Sequence, residues 1–267
     1  MKKLAALILA LAMCLALVAC GGSSAPAESN VLVLGTSADY APFEFMYPDE
    51  SGNLVYGGID VDVAKYVAEH MGKELQIENM SFDYLLASLQ KGDFDMVIAA
   101  MEASEERLNS ADFSDPYYTD IPAMILIRAA DAGVYTDFAS FDGKSVGAQT
   151  ATTKEDIVKD EMPGANLVSL QNVNDLVNQL VNNKVDAVVL DGGVATSFVA
   201  TNPELAIASV SLGEAEPYCI AVAKGDPKGL LPGINAAIAD MIANGKVQEF
   251  YDAAKALEDV AQEVSAE

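Results

Sequence analysis

The sequence predicts an α/β fold of two similar lobes joined by two crossover strands. Three observations carry that expectation. Short apolar runs alternate with helix-period segments over residues 31–100 and again over 145–190. That β-α-β-α-β order implies parallel sheets with helices on their faces. The second stretch repeats the first at a constant offset of 91 residues: Leu85, Leu86, Leu89 and Asp95 have counterparts in Leu176, Val177, Leu180 and Asp186. Two apolar, extended segments flanked by Pro or Gly, 121–127 and 218–222, stand where the chain must pass between the halves. On this layout lobe 1 is 30–120 plus 223–267, and lobe 2, with the crossovers, is 121–222.

In chain order, residues 31–34 read as a buried strand that Gly35 ends. Residues 40–58 are turn-rich. Residues 60–70 form a helix with Ile59, Val63, Tyr66 and Val67 on one face, stopped by Gly72. A short strand follows at 74–78. Residues 82–90 are a helix capped near Ser81 and stopped by Gly92, and 96–100 a buried strand. In the second half 145–149 is a strand and 153–161 a helix closed by Pro163-Gly164. Residues 167–170 are a strand, 173–181 a helix and 187–190 a strand.

The 267-residue chain carries 15 Lys+Arg against 40 Asp+Glu, a formal charge of −25, and 51% of its residues are apolar. A field this negative argues against a nucleic-acid partner, and the apolar content excludes a disordered polyanion. One long apolar run, residues 4–19, follows Lys2 and Lys3. It is short for a membrane span of roughly 20 residues and, with small residues after it, describes a secretion signal. Leu17-Val18-Ala19-Cys20 resembles the lipobox of bacterial lipoproteins, in which the Cys thiol is lipidated. Residues 1–19 are then the signal peptide. Residues 20–29, rich in Gly, Ser and Ala, are a lipidated tether that anchors without spanning. Cys14 leaves with the signal and Cys20 carries lipid. Cys219 remains as a buried, inert thiol, and no intrachain disulfide forms. One His and no Cys pair leave no metal-ligand spacing, and neither metal nor cofactor is expected. Asp60 and Asp62 read as helix caps, and His70 as a helix-end residue near the negative end of the dipole.

Ligands of open parallel sheets bind outside the carboxyl ends of the strands. One such end runs into Met101-Glu102-Ala103-Ser104-Glu105-Glu106-Arg107 and another into Asp191-Gly192-Gly193. A cleft between facing lobes would hold Arg107 on one wall and Asp191 on the other. That polarity suits a zwitterion, guanidinium for α-carboxylate and carboxylate for α-ammonium. The plain alternative for Arg107, one of only two arginines, is a surface charge beside Glu105 and Glu106. Thr150-Ala151-Thr152-Thr153 ends a strand and opens a helix, which makes either an anion site or an ordinary N-cap.

These residues resemble the amino-acid class of bacterial solute-binding proteins that feed ABC importers. The likeness spans most of 31–252. It rests on Tyr40-Ala41-Pro42-Phe43-Glu44-Phe45, on Gly58-Ile59-Asp60-Val61-Asp62-Val63-Ala64, and on Glu105-Glu106-Arg107 with Asp112-Phe113-Ser114-Asp115-Pro116-Tyr117. Gly143-Lys144 with Val146-Gly147 and Thr152-Thr153 completes it. The resemblance implies a two-lobed periplasmic-binding-protein-like fold (type II) with two crossover hinge strands that close on a ligand. Tyr40 and Phe82 would sandwich the ligand side chain. Arg107 would clamp the α-carboxylate, shared by backbone N–H groups near Thr152 and Thr153. Asp191 would take the α-ammonium, and the backbone of Ala100 would accept from the ligand.

The chain departs from the family pattern at four positions. Glu102 stands where a Ser or Thr helps hold the carboxylate, Ala151 where Gly is frequent, Ser37 where some relatives carry Asp, and Cys219 where Gly is usual. With Arg107 the one cation mapped to the cleft, against Glu102 and Asp191 and with Glu44 nearby, the charge count favours polar or cationic amino acids over acidic ones. The function expected is capture of a free amino acid outside the cytoplasm by a lipid-anchored monomer, and its delivery to ABC permease subunits. Its rivals are a dehydratase-like enzyme on the same fold, for which Glu102 is the unusual candidate acid or base, and a sensory or adhesive lipoprotein.

Overall fold

The computed structural model describes residues 30–265, so the expected signal peptide, tether and lipidated Cys20 lie outside the described residues. Two five-stranded sheets form the framework. The first runs in the order Glu74–Asn79, Val31–Thr36, Met96–Val97, Ala221–Ala223, Ala111–Phe113. The second runs Asn166–Leu170, Ser145–Gln149, Ala187–Leu190, Met124–Arg128, Leu205–Ile207. In each sheet the first three strands are parallel and the fourth is antiparallel to both neighbours. The lobes are thus built on one plan, as the repeat implied.

The repeated letters do the same work twice. Leu85 and Leu89 seal the helix Phe82–Lys91 in one lobe, and Leu176 and Leu180 the helix Val173–Val181 in the other; all four are fully buried. Asp95 accepts the Val33 N–H at 2.7 Å and pairs with Lys228, while Asp186 accepts the Ser145 N–H at 2.9 Å and pairs with Arg128. Each aspartate ties the turn before the third strand to the start of the first. A carboxylate with two donors of this kind is well satisfied where an apolar residue would leave a backbone N–H unpaired.

Two expectations need correction. Gly35 does not end its strand: Val31–Thr36 continues through it, and the missing side chain makes room for the Phe94 ring, which a Cβ would meet at 2.3 Å. Of the expected crossover 121–127, only 121–123 lie between the sheets. Met124–Arg128 is an inner strand of the second sheet, with Ile125, Leu126 and Ile127 fully buried. The two-stranded ribbon between the sheets is Tyr118–Thr119 antiparallel to Pro217–Tyr218. Ala221–Ala223, assigned in part to the second crossover, belongs to the first sheet. An apolar extended run reads alike as an inner strand or a crossover, and only the pairing tells them apart. No helix among the described residues is long and apolar enough to cross a membrane.

Candidate functional site

The third parallel strands of the two sheets, Met96–Val97 and Ala187–Leu190, end facing one another. Past the first, the chain turns sharply: Ala100 takes a left-handed φ of 44°, with its N–H donated to the buried Asp60 at 2.6 Å. Glu102 follows, then the short helix Glu105–Leu108, whose start Ser104 caps by accepting the Arg107 N–H. Past the second strand comes Asp191, the N-cap residue of the helix Gly192–Thr201. The helix Thr153–Glu161 starts beside it, after Ala151 in a left-handed conformation with φ 63°. For a residue with a Cβ that conformation is sparsely populated. It turns the Ala151 carbonyl toward Arg107, whose Nη2 donates to it at 3.2 Å.

Four buried charges meet across the cleft. Arg107 Nη1 donates to Glu102 Oε2 at 2.8 Å and to the Glu102 carbonyl at 3.0 Å. Lys154 Nζ lies 2.5 Å from Glu102 Oε1 and 2.6 Å from Asp191 Oδ1. Tyr40 Oη donates to Asp191 Oδ2 at 2.7 Å and accepts the Asp191 N–H at 3.1 Å. Thr153 Oγ1 donates to Glu102 Oε1 at 3.0 Å. Charges alternate along this chain, Arg107, Glu102, Lys154, Asp191, and each carboxylate oxygen has a donor. Burial opposes ionisation of Glu102, but Lys154 and Arg107 overcome it and bring its pKa down to about 2. Burial opposes the Lys154 charge too, and Asp191 and Glu102 outweigh it and raise its pKa. Both groups are therefore ionised at neutral pH.

Beyond Tyr40 the same cleft turns acidic. Asp39 accepts the Val173 N–H from the other lobe at 2.9 Å. Burial lifts its pKa to about 6, against hydrogen bonds from Val173 and Ser37. Asp60, expected as a helix cap, is fully buried and accepts from Ala100 N–H and the Tyr117 hydroxyl; burial also raises its pKa to about 6. Glu44 is buried beside it, raised well above the usual carboxyl range by burial and by Asp60, and its Oε2 has no hydrogen-bond partner among the described residues. None of these three carboxyls forms an ion pair with a described Lys or Arg.

The sequence-predicted residues are gathered here with shifted parts. Tyr40 and Phe82 both line the small space that Glu44, Glu102, Lys154 and Asp191 also line, about 10 Å³ in volume. The Phe82 ring carries the Arg107 guanidinium, 5.2 Å from its centroid. Thr152 precedes the helix but does not cap it by its side chain; its hydroxyl donates to the Gln149 carbonyl. An opening of about 380 Å³ lies alongside, between Phe82 and Arg107 on one wall and Thr153 and Asp156 on the other. Cys219 is buried, with its thiol pKa raised to about 11 by burial, and is inert as expected. Lys154 is the residue sequence reasoning missed, so the count of a single cleft cation is wrong. A signal for it existed: a lysine in the first turn of a helix sits at the positive end of the dipole, which needs a compensating anion.

Two matched lobes on a two-strand ribbon, with buried charges of both signs at their facing strand ends, define a two-lobed binding protein of the periplasmic type. Residues 32–254 match the bacterial extracellular solute-binding proteins, family 3, and the chain belongs to that family. The arginine-binding extracellular protein ArtP of Bacillus subtilis is 32% identical over 253 residues, covering 93% of this chain and 96% of that protein. ABC transporter arginine-binding protein 1 of Escherichia coli is 32% identical over 235 residues, 86% of this chain and 92% of that one. The crystal structure of the amino acid ABC transporter substrate-binding protein AbpA of Streptococcus pneumoniae, bound to L-arginine, superposes with a TM-score of 0.81 at 32% identity, covering 86% of this chain and 96% of that one. The protein is thus an extracellular solute-binding protein by family, and the relatives it resembles are named as arginine-binding or arginine-bound proteins, two of them of ABC transporters.

Proposed function

We propose that the ligand is a cationic amino acid, with arginine ranked first, then lysine, histidine and glutamine, and the acidic amino acids last. One observation carries the ranking: the half-buried Asp39 and the buried Glu44 line the cleft, with the buried Asp60 behind Glu44, and among the described residues none of the three pairs with a Lys or Arg. A guanidinium or ammonium there would satisfy Glu44 Oε2 and offset the cost of buried carboxylates, whereas an acidic side chain would add to it. The ranking no longer depends on Glu102, whose charge Arg107 and Lys154 already balance. The arginine named for the relatives agrees with it. In this reading Arg107 takes the α-carboxylate, with the N–H groups of Thr152 and Thr153, and Asp191 with the Ala100 carbonyl takes the α-ammonium. Tyr40 and Phe82 flank the side chain. Calorimetry should give arginine at least about 100-fold tighter binding than glutamate, roughly 2.7 kcal/mol; equal or reversed affinities overturn the ranking.

We further propose that the protein works as a monomer tethered to the membrane through lipid on Cys20, supported by Leu17-Val18-Ala19 before it and the small-residue tether after it. Cys20→Ser should leave the membrane fraction or stay unprocessed. A variant that still sediments with membranes at the mature size overturns the anchor.

A further inference from the structure

The charges across the cleft form an alternating chain made of the protein's own residues. Three ion pairs link Arg107 to Glu102, Glu102 to Lys154, and Lys154 to Asp191. All four side chains are at most about a tenth exposed. Glu102 and Arg107 follow the first lobe's strand end, and Lys154 and Asp191 belong to the second. The Glu102 carboxylate thus sits on the guanidinium proposed for a ligand carboxylate, and the Lys154 ammonium sits on the carboxylate proposed for a ligand ammonium.

We propose that the Glu102–Lys154 pair is a resident zwitterion: an intramolecular competitor for the amino acid's head group that also latches the lobes together. The proposal rests on the reading of Arg107 and Asp191 given above. Its logic is an exchange of ion pairs. An entering amino acid places its carboxylate on Arg107 and its ammonium on Asp191, while Glu102 and Lys154, already 2.5 Å apart, stay paired with each other and swing aside. Three pairs exist before the exchange and three after it, so no buried charge is left alone, which is the condition for a buried chain of charges to be remade cheaply. The competitor is tethered, and its effective concentration weakens every α-amino acid by a common factor. Side-chain selectivity is left to the acidic end. The two residues act as a unit. Glu102 alone would repel a ligand carboxylate, and Lys154 alone would repel a ligand ammonium. Beside Tyr40, the Glu102–Lys154 and Thr153–Glu102 contacts join the two lobes directly.

The test compares the full-length protein with Glu102→Thr, Lys154→Gln and the double variant. The double variant should bind arginine about tenfold more tightly than wild type. Each single variant should gain less than half of that on a logarithmic scale, because the residue left behind still blocks one end. Hydrogen exchange of the ligand-free proteins reads the latch without any ligand. Amides of 99–107 and 187–194 should exchange at least about tenfold faster in the double variant, with those of 31–36 unchanged. Unchanged exchange overturns the latch. Weaker arginine binding by the double variant overturns the competitor, because it makes the pair a ligand contact. Faster exchange in a variant that, like wild type, binds no amino acid supports the latch and strikes only the ligand reading.

Discussion

Glu102 and Glu44 lie in the same cleft, both buried, and their carboxyl groups behave oppositely. Two cations within 3 Å hold Glu102 ionised with a pKa near 2. Glu44 meets only Asp60, Asp39 and Asp191, and its pKa rises well above the usual range. Burial is the largest influence on each and raises both. The neighbours decide the outcome: for Glu102, two opposite charges at short range, with their hydrogen bonds, together outweigh the desolvation that would otherwise neutralise the group. The cleft therefore has a paired end and an acidic end in which burial favours the protonated carboxyl, most of all at Glu44. The first is suited to the part common to all amino acids and the second to the part that differs.

The largest expected effect breaks the paired end. Arg107→Ala removes the cation beneath Glu102 and the proposed carboxylate clamp together. Arginine binding should fall by at least about 100-fold, in line with 2–5 kcal/mol for truncating one partner of a buried charge pair. The fold should persist, because Lys154 and Thr153 still satisfy Glu102 Oε1. Calorimetry measures the first and circular dichroism the second. Binding within about threefold of wild type would mean that Arg107 serves only Glu102 and the Phe82 ring.

The same comparison explains what was legible beforehand. Helices and strands with strong periodicity, such as Phe82–Lys91 and Val173–Val181, were readable to within a residue or two because burial alone fixes their faces. The 91-residue repeat was readable because both lobes solve one local problem, tying a strand start to a turn, with the same aspartate. Arg107 and Asp191 came from the strand ends of the two sheets, Tyr40 and Phe82 from motif resemblance, and the four do converge on one cleft. Asp39 and Asp60 were not readable as site residues, and Lys154 only as a lysine at an unfavourable helix end that called for some anion. Their roles arise from partners far along the chain: Lys154 from Glu102, Asp39 from Val173, Asp60 from Ala100 and Tyr117. No local pattern encodes such pairings, and an aspartate in the first turn of a helix looks like an ordinary favourable end charge. The ribbon was misplaced for a related reason, since hydrophobicity says that a segment is buried but not which strand it pairs with.

The smaller effect sharpens the comparison through pH. In the ligand-free protein burial lifts the pKa values of Asp39 and Asp60 each to about 6, and burial with Asp60 raises Glu44 well above the usual carboxyl range. A cationic side chain at this end favours their ionised forms and lowers those pKa values, so binding releases protons. By linkage, affinity then rises with pH through the window below the ligand-free pKa, by at most about tenfold per unit for each proton released, and levels off above it. Arginine affinity should therefore climb between about pH 5 and 7, while glutamine, with no side-chain charge, should change little. Glu102 and Lys154 add nothing in that window, because Glu102 titrates near 2 and Lys154 is held charged above its usual range, whereas burial raises the Asp191 pKa against the pull of Lys154. The groups facing Asp39 are Ser37, the Val173 N–H, Asp175 and Glu44, none of them cationic, so Asp39→Asn should flatten part of the arginine slope without abolishing binding. Calorimetry in two buffers of different ionisation enthalpy counts the protons directly. A flat or falling arginine profile would place the ligand's cation away from Asp39 and Glu44, and the acidic end would then be a structural cluster that discriminates nothing.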